Sequence, residues 1–200
     1  MPDNDDPKGR IEMTTATTTT DGERADLIAA LAAARAALTS TVRGLADEQL
    51  GETPTVSALC LGGLIKHVAS AEEGWLRFAV EGPSAMRHDL PEGVTWADIE
   101  AGTARVIPEW MIEYQDDFRM LPGETLAGIL ARYEQVAARS EDIIATADLS
   151  VTHPLPDVPW HEPGAVRSVR GVLTHVIAET AQHAGHADIL REAIDGRRSS

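Results

Sequence analysis

The chain has 200 residues, 43% of them hydrophobic, and a formal net charge of -15. Its length and apolar content fit one domain with a sizeable core, while the acidic surface repels phosphate backbones and so excludes nucleic acid as a partner. No apolar run reaches the roughly 18 residues of a membrane span, the opening MPDNDDPKGRIEM lacks the pattern of a secretory leader, and the single Cys60 excludes an intramolecular disulfide, which together point to a cytoplasmic protein.

Residues 1–21 are polar and threonine-rich, with too little apolar content to bury themselves, and are expected to form a disordered tail. The folded domain is expected to span residues 22–196, with 197–200 as a short tail. From Gly22 the pattern becomes helical, with Leu27, Leu31, Ala34, Leu38 and Val42 at three- and four-residue spacing. Pro54 breaks it. Ser57 is a candidate N-cap for a second helix that Gly82-Pro83 ends. Residues 84–121 form a long insertion between helices 2 and 3, with short helical pieces expected around Trp96 and Trp110. Helical spacing resumes through Leu126, Ile129, Leu130, Tyr133, Val136 and Ile143. A proline-rich loop follows. Ser168 is placed to cap a last helix that stops at Gly196. No segment alternates as a strand would. Four long amphipathic segments predict an all-α four-helix bundle.

The last helix raises a chemical question. At about 100° per residue, Val172, Val176, Thr180, His183, Ala187, Leu190 and Ile194 share an arc of about 80°. His183 therefore lies in the apolar stripe. Glu179 and His186 lie beside it on one side, and His175 lies at its edge. An unpaired buried carboxylate costs on the order of several kcal/mol, so Glu179 needs a partner. Glu179 and His183 are spaced i, i+4 and converge, which is a spacing that lets one helix offer two ligands to a metal ion. On the second helix Cys60, Leu64, His67, Ala71 and Trp75 form one stripe with His67 in an otherwise apolar set. Cys60 lies roughly 10 Å further along the axis, too far to share an ion with His67. Gly62 and Gly63 are costly in a helix interior and suggest close helix approach. The same residues also fit a core histidine and an ordinary buried ion pair, and spacing alone does not separate those readings from a metal site. A di-iron carboxylate site is disfavoured, because Glu72 and Glu73 lack the Glu-x-x-His partners of that design.

Two segments, LGGLIKHVASAEEGWLRF and VRGVLTHVIAETAQHAGHADILREAIDG, resemble the hallmark segments of the DinB/YfiT-like superfamily. FRMLPGETLAGILARYEQVAARS resembles the third helix of a mycothiol-dependent, transferase-like, actinobacterial-type branch of formerly unknown function. The likeness covers roughly residues 22–196. It implies an up-down-down-up four-helix bundle, often a homodimer, and a divalent metal held by His67, Glu179 and His183. Many relatives have histidine where this chain has Glu179. Relatives that isomerise maleylpyruvate with mycothiol carry the Glu-x-x-x-His form seen here. His186 would then be an outer residue of the site or an alternative ligand.

The expected function is that of a divalent-metal-dependent thiol S-transferase, with mycothiol as co-substrate and a small electrophile as acceptor. Zinc is the first expectation for the metal, and such a donor set also accepts nickel, iron or manganese. The alternatives are a mycothiol-dependent isomerase and a non-catalytic, metal-binding stress-response bundle.

Overall fold

The computed structural model describes residues 8–86 and 88–198, with side chains from residue 22 onward. Helix α1 spans Lys8–Ser40, so its backbone begins ahead of the expected start at Gly22. The expected tail, residues 1–21, and the last two residues lie outside the residues whose side chains are described. A 3-10 turn at Asp47–Gly51 leads to α2, Leu61–Glu81. Helices α3, Trp96–Glu100, and α4, Glu109–Asp117, lie in the insertion. Helix α5 is Leu126–Thr146 and α6 is Val169–Asp195. Helix α6 packs on α1 and α2, and α5 packs on α2 and α1. The described chain is mostly helical.

Local chemistry sets most of these boundaries. Thr125 Oγ1 accepts from Gly128 N at 3.2 Å and starts α5. Ser168 Oγ accepts from Gly171 N at 3.0 Å and starts α6, as its position in the sequence suggested. Each such cap is worth about 1 kcal/mol. Gly82 and Gly196 end α2 and α6 with positive φ, where a side chain would be strained.

Three expectations need correction. The N-cap of α2 is Cys60, not Ser57, which instead accepts from Leu59 N in the preceding loop. A two-stranded antiparallel sheet exists, β1 at Thr152–Pro154 with β2 at Val166–Ser168. Three residues are too few to show alternation, so the pattern is silent there. Gly62 and Gly63 do not admit a neighbouring helix. They admit the chain that follows α4: a Cβ on Gly63 would lie 2.1 Å from Phe118 O, and one on Gly62 would lie 2.2 Å from Met120 Sδ.

The interior has two apolar clusters. One gathers Leu38, Leu64, Val68, Val136 and Leu190. The other gathers Leu31, Leu76, Ile144, Leu173 and Val176. On each long helix a buried polar residue falls between the two sets: Arg35, Glu72, Ser140 and Thr180. Glu72 is 1% exposed and is held by the Arg35 guanidinium, whose Nε donates at 3.1 Å, and by Ser140 Oγ at 2.5 Å. Arg35 is held above the ordinary guanidinium range: burial opposes its charge, and the Glu72 bond and charge more than restore it.

Glu72→Ala would leave the buried Arg35 charge with only the exposed Glu141, 3.3 Å from its Nη1. Such a loss typically costs about 3–5 kcal/mol, so a urea unfolding curve should shift its midpoint accordingly without a change in helical content.

Candidate metal centre

His67 sits on the inward face of α2, seven residues after its N-cap and 6% exposed. Glu179 and His183 sit one turn apart on α6. Since α2 packs on α6, the three side chains meet. Glu179 Oε1 lies 3.4 Å from His67 Nε2 and 3.2 Å from His183 Nε2. One ligand atom from each residue falls within 4.8 Å of the other two. The i, i+4 convergence of Glu179 and His183 is thus realised, and His67 joins it from the neighbouring helix. Among the described residues these three are the group that could hold a metal ion.

The donor set fits a divalent transition metal. Bond lengths of about 2.0–2.2 Å place tetrahedral ligand atoms roughly 3.3–3.6 Å apart, and the two Glu179 contacts are already near that spacing. Two imidazole nitrogens and one carboxylate oxygen are borderline donors suited to zinc, nickel or iron. Burial pushes the His67 pKa down, and this outweighs the upward pull of its bond to Glu179. Burial pushes Glu179 up, but the His67 bond and the charges of His183, His67 and His175 bring it below the ordinary carboxylate value. At neutral pH the site therefore offers a carboxylate beside a neutral His67, which is the protonation state that ligands require.

His186 is exposed and its Nδ1 lies 3.4 Å from His183 Nδ1. That is the ring nitrogen remote from Glu179. When His183 presents its Nε2 lone pair to a cation, its proton sits on Nδ1 and is donated to His186. Cys60 is buried at the start of α2, with its thiol 3.7 Å from Phe118 O. His175 stands against Trp75, ring centroids 4.7 Å apart. His153 is 3.2 Å from Ala79 O and packs against Phe78.

The sequence reading missed what holds His67 in place. Phe118 stacks on its ring at 4.0 Å and Tyr114 meets it edge-on at 5.7 Å. Both belong to the insertion. Lys66, 7% exposed, fastens that segment: Nζ bonds Asp116 O at 3.0 Å, Arg119 O at 2.9 Å and Glu124 Oε2 at 2.8 Å. Gly63 leaves room for the Phe118 carbonyl. A lysine within the apolar run GGLIKHV was the available signal, because lysine is seldom buried unpaired.

Above the three residues opens a cavity of about 1100 Å³ with His67 and Glu179 in its wall. The insertion supplies much of the rest, including His88, Trp96, Trp110 and Tyr114. Burial raises the Tyr114 hydroxyl above its ordinary range, with Glu179 and Asp117 adding to the effect. Burial likewise raises Asp117, against the opposing pull of Ser70 and Arg132.

The family model described as MST, mycothiol-S-transferase, matches residues 26–196. The chain belongs to that family, and with it to the DinB/YfiT-like superfamily. No curated protein matches it.

Gly63→Ala should force the Phe118 carbonyl away and loosen the stack on His67. The expected result is a stability loss of about 1–3 kcal/mol and weaker zinc uptake, both measurable by calorimetry. A second expectation concerns pH. Burial lowers the pKa of His67, His88 and His175. Near pH 6.5 and below, the unfolded chain binds protons that the folded chain does not, so stability falls as pH drops. The melting temperature of metal-free protein should decline between about pH 7.5 and pH 5.5, a range in which carboxylates with lowered pKa values do not yet titrate.

Proposed function

We propose that this member of the mycothiol-S-transferase family is a divalent-metal-dependent thiol S-transferase. His67, Glu179 and His183 would hold the metal, zinc first. Mycothiol would be the thiol, and a small electrophile would accept its sulfur. The observation that carries the reading is the convergence of one carboxylate oxygen and two imidazole nitrogens, with His67 and Glu179 of that set in the wall of a large cavity. The four long helices are read as the superfamily's up-down-down-up bundle over residues 22–196, in a cytoplasmic protein that pairs as a homodimer.

A divalent cation held by these residues supplies charge that stabilises a thiolate at neutral pH. Two imidazoles and one carboxylate would leave that charge partly uncompensated, which would favour an anionic sulfur nearby. His67, Glu179 and His183 would hold the ion with three protein residues, fewer than the four of a closed structural site. His186 fixes the tautomer of His183 from outside. Phe118 and Tyr114 cover His67 with aromatic surface, which keeps water from that side. The cavity then receives the electrophile and holds it against the sulfur, a gain of proximity rather than of new bonding.

A second reading, mycothiol-dependent isomerisation of a diacid, draws on the Glu-x-x-x-His form of Glu179 and His183. Three acidic side chains in the cavity besides Glu179, namely Glu100, Glu113 and Asp117, disfavour a dianionic substrate and put transfer first.

The test is direct. Zinc-loaded protein is assayed for conjugation of mycothiol to an epoxide and to 1-chloro-2,4-dinitrobenzene. His183→Ala should lower kcat/KM by about 100-fold or more with an unchanged circular dichroism spectrum. Equal rates for wild type and variant would contradict the reading, and isomerisation of maleylpyruvate without conjugation would move the second reading ahead.

A further inference from the structure

All four tryptophans of the chain, Trp75, Trp96, Trp110 and Trp160, line the cavity above His67 and Glu179. With Tyr114 they account for five of the eight Phe, Trp and Tyr residues in the sequence. Core packing does not require that concentration, since both apolar clusters are built mainly of aliphatic residues. Trp160 also stays 56% exposed. A large indole left open to water beside a cavity is surface available to a ligand.

The rings form a wall rather than a random cluster. Trp96 opens α3, Trp110 belongs to α4, and Trp160 comes from the loop between β1 and β2. Trp96 meets Trp160 edge-to-face with centroids 5.2 Å apart, and lies 6.1 Å from Trp110. His88 sits edge-on to Trp110 at 4.8 Å and to Trp160 at 5.6 Å. Trp110 Nε1 donates to Asp89 O at 3.1 Å. These contacts fix the ring planes before any ligand arrives, and preorganised surfaces bind at lower entropic cost.

Charge adds a second selection. Glu100, Glu113 and Asp117 line the same cavity, and among the described residues Arg132 is the one arginine or lysine in its lining. Arg132 is already engaged with Ser70 at 3.0 Å and Glu73 at 3.4 Å. Aromatic faces carry the negative side of the ring quadrupole. The Arg167 guanidinium covers the Trp75 face at 4.6 Å, so the negative faces left to act with the carboxylates are those of Trp96, Trp110 and Trp160, and an anionic ligand is disfavoured against them.

We infer that the Trp96, Trp110 and Trp160 wall is a stacking subsite for an uncharged ring of a substrate, and that the surrounding carboxylates exclude anionic rings. The inference rests on the cavity being the conjugation site, and the ring can belong to the thiol or to the electrophile. Because every tryptophan faces this cavity, intrinsic fluorescence reports its occupancy without metal or turnover.

The experiment titrates the full chain separately with 1,3-dinitrobenzene, 3,5-dinitrobenzoate and mycothiol, with N-acetyltryptophanamide as the control for light absorption. Saturation by dinitrobenzene assigns the ring to the electrophile, and saturation by mycothiol assigns it to the thiol. In both cases Trp160→Ala should weaken the saturating ligand about fivefold, Trp160→Phe should restore most of the affinity, and dinitrobenzoate should bind about tenfold or more weakly than that ligand. Glu100→Gln with Glu113→Gln should narrow the gap. Absence of saturation by both uncharged probes, an unchanged affinity in Trp160→Ala, or dinitrobenzoate binding as tightly as the saturating ligand would overturn the inference. An active, metal-loaded enzyme with a flat titration would sink this subsite alone.

Discussion

Glu179 is a partly buried carboxylate that, among the described residues, has no bond to an arginine or lysine. Its bonding partners among the described residues are His67 and His183. Burial keeps His67 below the ordinary imidazole range, so it does not supply a standing positive charge at neutral pH. The contrast within the same interior is instructive. Glu72 is more deeply buried, yet the Arg35 guanidinium meets it and Ser140 completes its bonding. One buried acid is closed by the protein itself. The other is met by two imidazole rings and an open cavity. A divalent cation would complete that arrangement, since a carboxylate with two imidazoles is a donor set that divalent metals accept.

The rest of the structure can be understood as what keeps those three side chains together. Helices α2 and α6 bring His67 to the Glu179 and His183 turn, and the polar layer of Arg35, Glu72, Ser140 and Thr180 falls between the two apolar clusters on all four long helices. Arg35, Glu72 and Ser140 are joined by hydrogen bonds and tolerate few alternative alignments of α1, α2 and α5, because sliding one of them would leave a buried charge unpaired; Thr180 bonds within α6, to Val176 O. The insertion adds the remaining constraint. Its α4 end is fastened to α2 by Lys66 and nests on Gly63, which puts Phe118 flat on His67. The same segment supplies much of the cavity wall. Positioning of His67 and shaping of the cavity are thus one piece of construction.

Much of this was legible in the residues, and the reasons differ by level. Helical spacing located the long helices because burial enforces it: Leu31 and Leu38 on the first, and Val172, Val176, Ala187 and Leu190 on the last, are all within 3% of complete burial, as is Val42 in the turn just past α1. Ser168 and Gly196 were readable because caps depend on local chemistry. His67, Glu179 and His183 could be singled out because polar residues on apolar stripes are rare, and the resemblance to the DinB/YfiT-like superfamily brought them together across 112 residues of sequence. What stayed hidden depended on contacts between distant segments. Nothing near Gly63 announces a carbonyl from Phe118. Nothing near Trp160 places it against Trp96. Ser57 looked like a cap because its residue type is right, but α2 starts at Leu61. The two short strands carry no pattern long enough to read.

The central claim is that Glu179 and its two histidines hold one metal ion. Elemental analysis of full-length protein, purified without a nickel column, tests it most directly when wild type and Glu179→Ala are compared. About one equivalent of a transition metal in wild type, and little in the variant, is the expected result for a single closed donor set. Metal-free wild type that also fails to take up added zinc, nickel or iron would contradict it, and would leave Glu179 as the acid of a hydrogen-bonded cluster in a non-catalytic helical protein.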